Sequence, residues 1–545
     1  YAPKPQLTNG TAQVQTVADQ PGTPEQLTAT QTGIQKQASA FETIAPEKDV
    51  AIETPTASII LTTKGGVLKS YELKNYRRTV KKDAALKNLL TETPDSNALF
   101  LGLKEDLGFN KDKIFKITKD ETAENTRTIA LEWQNNQIRI EKTFVFGALS
   151  TPYAAQVSYK VTNLSHEKLS LEPYFENTIR QKTEAQKRGG FLSSLSGAQS
   201  DLFARLYFKD NKLNNNADWK GFTSGMLDVG GIAWTAVADR YFILALIPDQ
   251  RTVADSATNF DRQDDFTLTR LILKKTDVAP GESLEGSIAT YVGPKILGEM
   301  AKLGVRLEAS VDYGWFKILA SPILWLMTFL HRLIPSWGVV IIALTVIIKL
   351  ILHPVNKKSM TSMKAMQQLQ PKLKELRTKY ANDKPRQNQE VMQLFKTHKG
   401  NPMGGCLPMA LQMPIYIILY KVLWNAVEIY HAPFLWYKDM SAPDPYYIAP
   451  ILMGVSMVLQ QKLTPSATGD DAQQKMMMWM MPIMFTALML FLPVGLVVYI
   501  FANTAISVVQ QYLMRKNISL SALVMARIRG KKTEELVTHH RKAKD

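Results

Sequence analysis

The stretch "VVIIALTVIIKLILHP", residues 339–354, decides the fold class, because it is an aliphatic run long enough to enter a lipid bilayer. A helix needs roughly 20 mainly apolar residues to cross the hydrocarbon core. Lys349 lies within this run. A charge near the bilayer centre costs about 2.5–3.5 kcal/mol on insertion scales, so it usually faces water, a protein cavity or the interface. Lys349 therefore needs either a route to the headgroups or a function.

Further apolar stretches follow the first one. Together they give five candidate spans, at residues 337–353, 405–424, 446–463, 476–492 and 494–514. The first three hundred residues contain no such stretch. The sequence therefore predicts an α-helical membrane bundle with five core spanning helices, preceded by a large part that lies outside the bilayer.

The net charge of +16 is concentrated in two segments. Residues 355–402 have a surplus of eight positive charges and residues 515–545 a surplus of six. Both segments lie on the same side of a five-span bundle, and an excess of Lys and Arg marks the cytoplasmic side. We therefore expect a cytoplasmic C-terminus and an exported N-terminal part. Residues 1–48 contain no apolar signal core, so we expect an export signal ahead of Tyr1. The single cysteine, Cys406, excludes intrachain disulfide bonds.

The exported part divides into a tether and a β-rich domain. Residues 1–48 are rich in Gln, Thr, Ala and Pro, which predicts a disordered periplasmic tether. Beyond them apolar and polar residues alternate, most clearly in "YAAQVSYKVT", residues 153–162. This alternation is typical of half-buried strands. We predict an exported domain at residues 49–305 that is a large antiparallel β-sandwich and ends in a linking helix.

The polar positions of the remaining segments predict two further elements. Residues 314–334 have one narrow polar stripe on an apolar helix, which favours an amphipathic helix in the interface; a sixth span is the alternative. Residues 355–399 predict a cytoplasmic helical hairpin, whose methionines either pack the arms together or offer an adaptable apolar surface. We predict that the five-helix membrane core, which includes this hairpin, covers residues 337–514. A basic cytoplasmic tail is predicted at residues 515–545.

Polar residues recur every four positions on four of the five spans, and residues at that spacing share one helix face. The four stripes are Thr345 and Lys349; Gln412 and Tyr416; Ser456 and Gln460; and Tyr499, Asn503, Ser507 and Gln511. Such stripes either join helices through hydrogen bonds or line a wet cavity. Lys349 has a further alternative, since its ammonium could snorkel to the cytoplasmic headgroups.

Motifs for nucleotide or peptide hydrolysis are absent from the sequence. It contains no G-x-x-x-x-G-K-[ST] loop and no H-E-x-x-H pair, and no Ser or Cys in the spans is matched with a spaced His. We therefore predict a protein that is not an enzyme, with no catalytic residues, no metal and no cofactor. Any work on a substrate must come from partitioning and electrostatics.

Several motifs resemble, in order and spacing, the YidC-type membrane protein insertases of the Oxa superfamily, in their Gram-negative form. They are "NPMGGCLPMALQMPIYIILY", "DPYYIAPILMGVSM", "QQKMMMWMMPIMF" and "LPVGLVVYIFAN", together with "VDYGWF" and "LQPKLKELR". The resemblance implies an inner-membrane insertase and folding chaperone that acts alone or with the Sec translocon. Its partners would be nascent membrane-protein clients and lipids, and the basic tail is a candidate ribosome contact.

The resemblance also implies a hydrophilic groove open to the cytoplasm and an apolar slide for client helices. It further implies that the antiparallel sandwich is a periplasmic β-supersandwich. Lys349 stands where the family has a groove arginine, which keeps the charge but loses the planar five-donor fork. Thr345 matches a groove position, and the polar stripes add Gln412, Tyr499 and Asn503 as candidate substrate-binding residues. The positions that match the slide are Met413, Tyr416, Met484 and Leu488. A secondary transporter or channel, and a sugar-binding β-domain on a membrane anchor, remain the alternatives.

Overall fold

The computed structural model describes residues 45–81, 83–90, 96–180, 204–215, 226–249, 257–263, 266–314, 317–397, 407–463 and 471–515. Most of the predicted tether, Cys406 and nearly all of the predicted basic tail lie outside these residues.

Two antiparallel nine-stranded sheets form the β-rich part, as predicted. The first sheet contains, in spatial order, β1 (Asp49–Glu53), β2 (Ala57–Thr62), β3 (Val67–Arg77), β5 (Asn97–Leu103), β11 (Pro173–Arg180), β18 (Phe266–Ile272), β17 (Ala257–Gln263) and β14 (Met226–Val229), with β4 (Leu86–Asn88) paired to β3. The second contains β13 (Lys212–Asn215), β12 (Ala204–Lys209), β15 (Ile232–Ala238), β16 (Phe242–Pro248), β20 (Ser283–Pro294), β9 (Ala154–Asn163), β8 (Ile138–Phe146), β7 (Thr126–Gln134) and β6 (Lys116–Ala123). A two-stranded sheet joins β10 (Leu169–Leu171) to β19 (Thr276–Val278).

The core between the sheets follows from the alternation in the sequence. In β9 the side chains of Val157, Tyr159 and Val161 are buried, while those between them are half-buried. Trp133 and Trp234 are among the largest side chains that this core encloses completely. Each strand therefore contributes one face to a shared interior, as the period of two predicts.

Lys142 is a polar exception inside this core. Its side chain is completely buried, and its Nζ donates hydrogen bonds to the carbonyl of Gly66, at 2.7 Å, and to that of Leu99. It also lies over the rings of Phe144 and Phe175. Because both carbonyls belong to the opposite side of the sandwich from β8, this lysine links the two sheets.

Eight α-helices follow the strands in the described part of the chain. They are α1 (Leu297–Ala301), α2 (Lys317–Leu333), α3 (Trp337–Lys379), α4 (Lys384–Thr397), α5 (Leu407–Asn425), α6 (Ile448–Leu463), α7 (Asp471–Met489) and α8 (Val494–Arg515). Short 3₁₀ helices occur at Leu307–Ser310 and Val427–Ile429. Helix α1 is the helix that follows the last strand, and α2 lies within residues 314–334, where the sequence predicts a helix. Helix α2 runs through Pro322 without a new start.

The first span and the first arm of the predicted hairpin form one continuous helix. Helix α3 passes through Pro354 and Pro371 and ends at Lys379, and the turn to α4 follows. A proline removes one backbone donor and disfavours the helix interior, but here the helix continues on both sides. The hairpin is therefore an extension of the bundle and not a separate unit after residue 354.

Among the described residues, two helical segments are long and apolar enough to cross a membrane: Trp337–Lys357 of α3 and Val494–Leu513 of α8. Shorter apolar helices occur at Ile318–Leu333, Ile448–Leu463 and Met478–Met489. Helix α8 packs against α3, α5 and α6; α3 also contacts α2 and α5, and α7 packs on α6. This neighbour order sets which polar stripes can meet.

The sandwich is attached to the helical part through Arg240, which follows β15. Its Nε donates a 2.6 Å hydrogen bond to the carbonyl of Trp424, in the last turn of α5, and its guanidinium lies 3.8 Å from the centre of the Trp424 ring. Nearby, the hydroxyl of Tyr430 donates to the carbonyl of Arg77 at 3.0 Å. A cation at a helix C-terminus interacts favourably with the helix dipole. The sandwich therefore holds the end of α5.

Candidate functional site

Helix α3 carries the predicted lysine on a buried face of the bundle. Lys349 is 6% exposed, and its Nζ lies 2.7 Å from the Oγ of Ser507 on α8. One turn earlier, Thr345 is buried and donates to the carbonyl of its own helix at Ile341. Among the described residues no carboxylate lies within ion-pair distance of Lys349. The hydroxyl of Ser507 is therefore the polar partner that the structure gives this lysine, and no described carboxylate neutralises its charge.

Helices α5 and α8 meet through the polar residues of their stripes. The amide of Asn503 donates to the hydroxyl of Tyr416, and the amide of Gln412 lies 3.4 Å from the hydroxyl of Tyr499. The two tyrosine rings meet edge to face, with centroids 5.9 Å apart. These contacts are the interhelical hydrogen bonds expected of polar residues inside a bundle.

The polar groups of three helices are thereby joined in one layer. Ser507 contacts Lys349 and also donates to the carbonyl of Asn503, at 2.8 Å. The layer runs from Lys349 on α3 through α8 to Tyr416 on α5. We call it the polar layer; its members are Thr345, Lys349, Gln412, Tyr416, Tyr499, Asn503 and Ser507. The layer joins α3, α5 and α8 through hydrogen bonds, and it contains Lys349, which no carboxylate among the described residues neutralises.

The stripe on α6 is arranged differently. Ser456 donates a 2.8 Å hydrogen bond to the carbonyl of Leu452 in its own helix. Gly454, on the same helix, lies so close to Thr486 of α7 that an added Cβ would be 2.3 Å from the threonine Oγ1. Helix α6 therefore contributes close packing with α7 at this level.

The predicted slide residues lie on α5 and α7 and differ in exposure. Met413 is 52% exposed and Met484 is 56% exposed, whereas Leu488 is half-buried against the core of the bundle. Ile417 and Ile483 are also exposed beside them. Helix α5 thus presents an exposed apolar edge beside its residues of the polar layer. Helix α7 presents another, beside its neighbour α6.

Ser507 belongs to the predicted polar stripe of α8, but it is not among the predicted substrate-binding residues. Its position, four residues after Asn503, is the signal that pointed to it. Serine is common and uncharged, so only the contact with Lys349 distinguishes it from other hydroxyl residues of the bundle.

Fold and site together define a class: a helical membrane protein with an attached β-sandwich and a polar layer inside its bundle. No group of residues able to hold a metal ion occurs in the described ranges. A family described as "60Kd inner membrane protein" matches residues 329–521, and one described as "YidC periplasmic domain" matches residues 49–326. The chain belongs to the YidC family of membrane protein insertases.

Relatives match over most of their length. The membrane protein insertase YidC of Syntrophus aciditrophicus is 36% identical over 484 residues, which cover 86% of this chain and 85% of the relative. That of Citrifermentans bemidjiense is 35% identical over 481 residues, 87% of each chain. A solved structure described as an active YidC insertase with the first transmembrane domain resolved aligns with a TM-score of 0.37 and 17% identity, over 87% of this chain and 95% of that chain.

These findings confirm the predicted family and the predicted function of a membrane protein insertase. They place the chain in the inner membrane with a periplasmic β-sandwich domain. An insertase is not an enzyme, in agreement with the prediction. The transporter and the membrane-anchored sugar domain are thereby set aside as alternatives.

Proposed function

We propose that five helices, α3 and α5 to α8, span the membrane and that the polar layer forms the inner end of a groove open to the cytoplasm. The observation that carries the proposal is Lys349, which is held by Ser507 in the bundle without a neighbouring carboxylate among the described residues. An unneutralised cation inside a bundle favours contact with water or with an acidic group of a substrate.

In this proposal the groove receives the polar outer segment of a client. Water and hydroxyl groups in the groove would shorten the apolar path, which is about 30 Å in an intact bilayer. The client's apolar helix would move along the edges of α5 and α7, where Met413 and Met484 are exposed. Methionine suits this task because its unbranched side chain adapts to different apolar surfaces.

The proposed orientation places the C-terminus and the hairpin in the cytoplasm. The surplus of Lys and Arg in residues 355–402 and 515–545 supports it. With this orientation we propose the following domains: a periplasmic tether at residues 1–48, the sandwich at 49–305, the interfacial helix at 314–334, the five-helix core at 337–514 and the cytoplasmic tail at 515–545. The predicted interfacial role of α2 is supported by the exposure of Trp325 and Leu333 on its surface.

A photo-crosslinking amino acid at Met413, Met484 or Val455 tests the slide. All three side chains are more than half exposed, but Val455 lies on α6, outside the proposed slide. A ribosome-stalled client helix should crosslink to positions 413 and 484 and not to the control. Equal crosslinking at the three positions would show that the client meets the bundle without a preferred path.

The Sec translocon and the ribosome are proposed partners. The nine Lys and Arg of residues 515–545 could replace counterions on ribosomal RNA, although attraction to anionic lipid would explain the same charge. Removal of residues 531–545 should weaken ribosome co-sedimentation, most strongly at low salt. Unchanged co-sedimentation would leave lipid attraction as the role of the tail. Co-purification with the Sec translocon, before and after depletion of clients, tests the second partner.

A further inference from the structure

The connection between α5 and α6 contains a tight turn with an apolar tip. Phe434 and Tyr437 pair as an isolated antiparallel bridge, and each donates a backbone hydrogen bond of 2.9 Å to the other. Between them, at the tip, Leu435 is 71% exposed and Trp436 is 48% exposed. Two-residue turns usually contain Asn, Gly or Asp. A leucine and a tryptophan at such a tip are therefore exceptional.

The backbone of the tip is also unfavourable for its sequence. Leu435 has a φ of 52°, in the left-handed region that a branched apolar residue rarely adopts. Polar residues suited to that conformation would keep the turn in water without strain. The turn thus presents two large apolar side chains outward at a position where neither folding nor solubility requires them.

Neighbouring contacts fix the tip at the level where the two long apolar spans begin. The ring of Phe434 lies against Gly338, in the first turn of α3, so closely that an added Cβ would be 2.1 Å from it. On the other side, Val494 and Gly495 at the start of α8 donate to the carbonyls of Ala442 and Met440, at 2.8 and 2.9 Å. The tip is therefore held at one end of the bundle and cannot lie far from the membrane surface.

A buried carboxylate makes this connection rigid. Asp444 is 1% exposed and accepts hydrogen bonds from the hydroxyl of Tyr437, at 2.9 Å, and from the backbone amides of Tyr446 and Ala449. The bond to Ala449 also caps the first turn of α6. Tyr446 and Tyr447, which follow Asp444 and Pro445, are more than half exposed. One rigid segment thus presents a leucine, a tryptophan and two tyrosines.

We propose that the exposed side chains of this segment, Leu435, Trp436, Tyr446 and Tyr447, insert into the lipid interface at the end of the bundle where α3 and α8 begin. Trp and Tyr are enriched at membrane interfaces because their rings are apolar and their edges form hydrogen bonds. The surface is continuous with the membrane-embedded spans through Phe434 and Gly338. Exposed Lys438 beside the tip can reach lipid phosphates. In the proposed orientation this is the periplasmic leaflet.

Lipid quenching tests the proposal on the purified full chain in bilayer nanodiscs. In a Cys406→Ser background, Trp436→Cys, Leu435→Cys and the control Val229→Cys are each labelled with a small fluorophore. Val229 is a matched control because it is an apolar residue of the sandwich, 60% exposed. Lipids with bromine atoms near the glycerol region then serve as quenchers.

Interfacial apolar groups sit about 5–10 Å into the headgroup and acyl boundary, so quenching at 435 and 436 should be about threefold or more stronger than at 229. Quenching equal to that of the control at both tip positions would overturn the proposal. Protection of the tip from a water-soluble thiol reagent in native membranes, combined with no quenching in nanodiscs, would also overturn it and indicate a protein partner. No client is present, so a negative result leaves the insertion proposal unaffected.

Discussion

Removal of the positive charge at Lys349 should slow the insertion of clients with acidic outer segments and spare neutral ones. In the structure the ammonium contacts Ser507 at 2.7 Å, and no described carboxylate neutralises it. Its field is therefore available to a carboxylate of the client. Lys349→Ala removes that field, Lys349→Arg keeps it, and Lys349→Glu reverses it.

The expected magnitude follows from one charge-assisted contact. A hydrogen bond to a charged group contributes roughly 1.5–3 kcal/mol. Since 1.4 kcal/mol corresponds to a factor of ten, Lys349→Ala should slow acidic clients by about 10- to 150-fold. Lys349→Arg should remain within a few-fold of the natural protein, because charge and not the geometry of the donors carries the effect. Lys349→Glu should be the slowest with acidic clients.

Proteoliposomes with purified protein provide the assay. The insertion rates of two matched clients, which differ only in acidic or neutral residues of the outer segment, are compared for each variant. Ser507→Ala is the matched control, because it removes the hydroxyl partner of Lys349 but leaves the charge in place. It should insert both clients at nearly the natural rate.

Two results would refute this reasoning. If Ser507→Ala slows insertion as much as Lys349→Ala, the lysine acts by joining α3 to α8 and not through its field. If all variants insert acidic and neutral clients alike, the ammonium has only a snorkelling role. Cysteine at position 349, in a Cys406→Ser background, should also react with a membrane-impermeant thiol reagent from the cytoplasmic side; failure to react would contradict a wet groove.

Three further predictions concern the sandwich and its attachment. Burial lowers the pKa of Lys142, so the folded chain binds fewer protons than the unfolded one and its stability should rise with pH up to about 10.4. Lys142→Met should flatten this rise in thermal unfolding while costing about 1–3 kcal/mol for each carbonyl left without its donor; an unchanged pH slope would contradict the assignment. Arg240→Ala should lower the Tm through loss of about 1–3 kcal/mol of cation–π and hydrogen-bond energy at Trp424, with Arg240→Lys intermediate, and equal Tm values would show that the attachment contributes nothing. Deletion of residues 52–280, with an export signal and α2 retained, should preserve insertion in a complementation assay, because the polar layer lies after residue 337; loss of insertion by a stably expressed deletion would assign the sandwich a direct role.

Local patterns in the sequence predicted much of this protein. Alternation at residues 153–162 predicted β9 and its buried face, because the direction of a side chain from a strand depends only on position along that strand. Apolar length predicted the segments of α3 and α8, and spacing by four predicted the polar face that carries Tyr499 and Asn503.

Pairing over long distances was decided only by the tertiary structure. Periodicity identifies a helix face but not the residue that it meets, so Lys349 could not be matched to Ser507, 158 residues later. The same holds for β5 and β11, whose paired residues are 70 to 81 positions apart in the chain. It also holds for Lys142, which is buried against the carbonyls of Gly66 and Leu99. The first span was predicted to end at residue 353, whereas its helix continues through Pro354 and ends at Lys379. The physical reason is common to these cases: backbone preferences and periodicity act within a few residues, while partners are selected by packing of the whole chain.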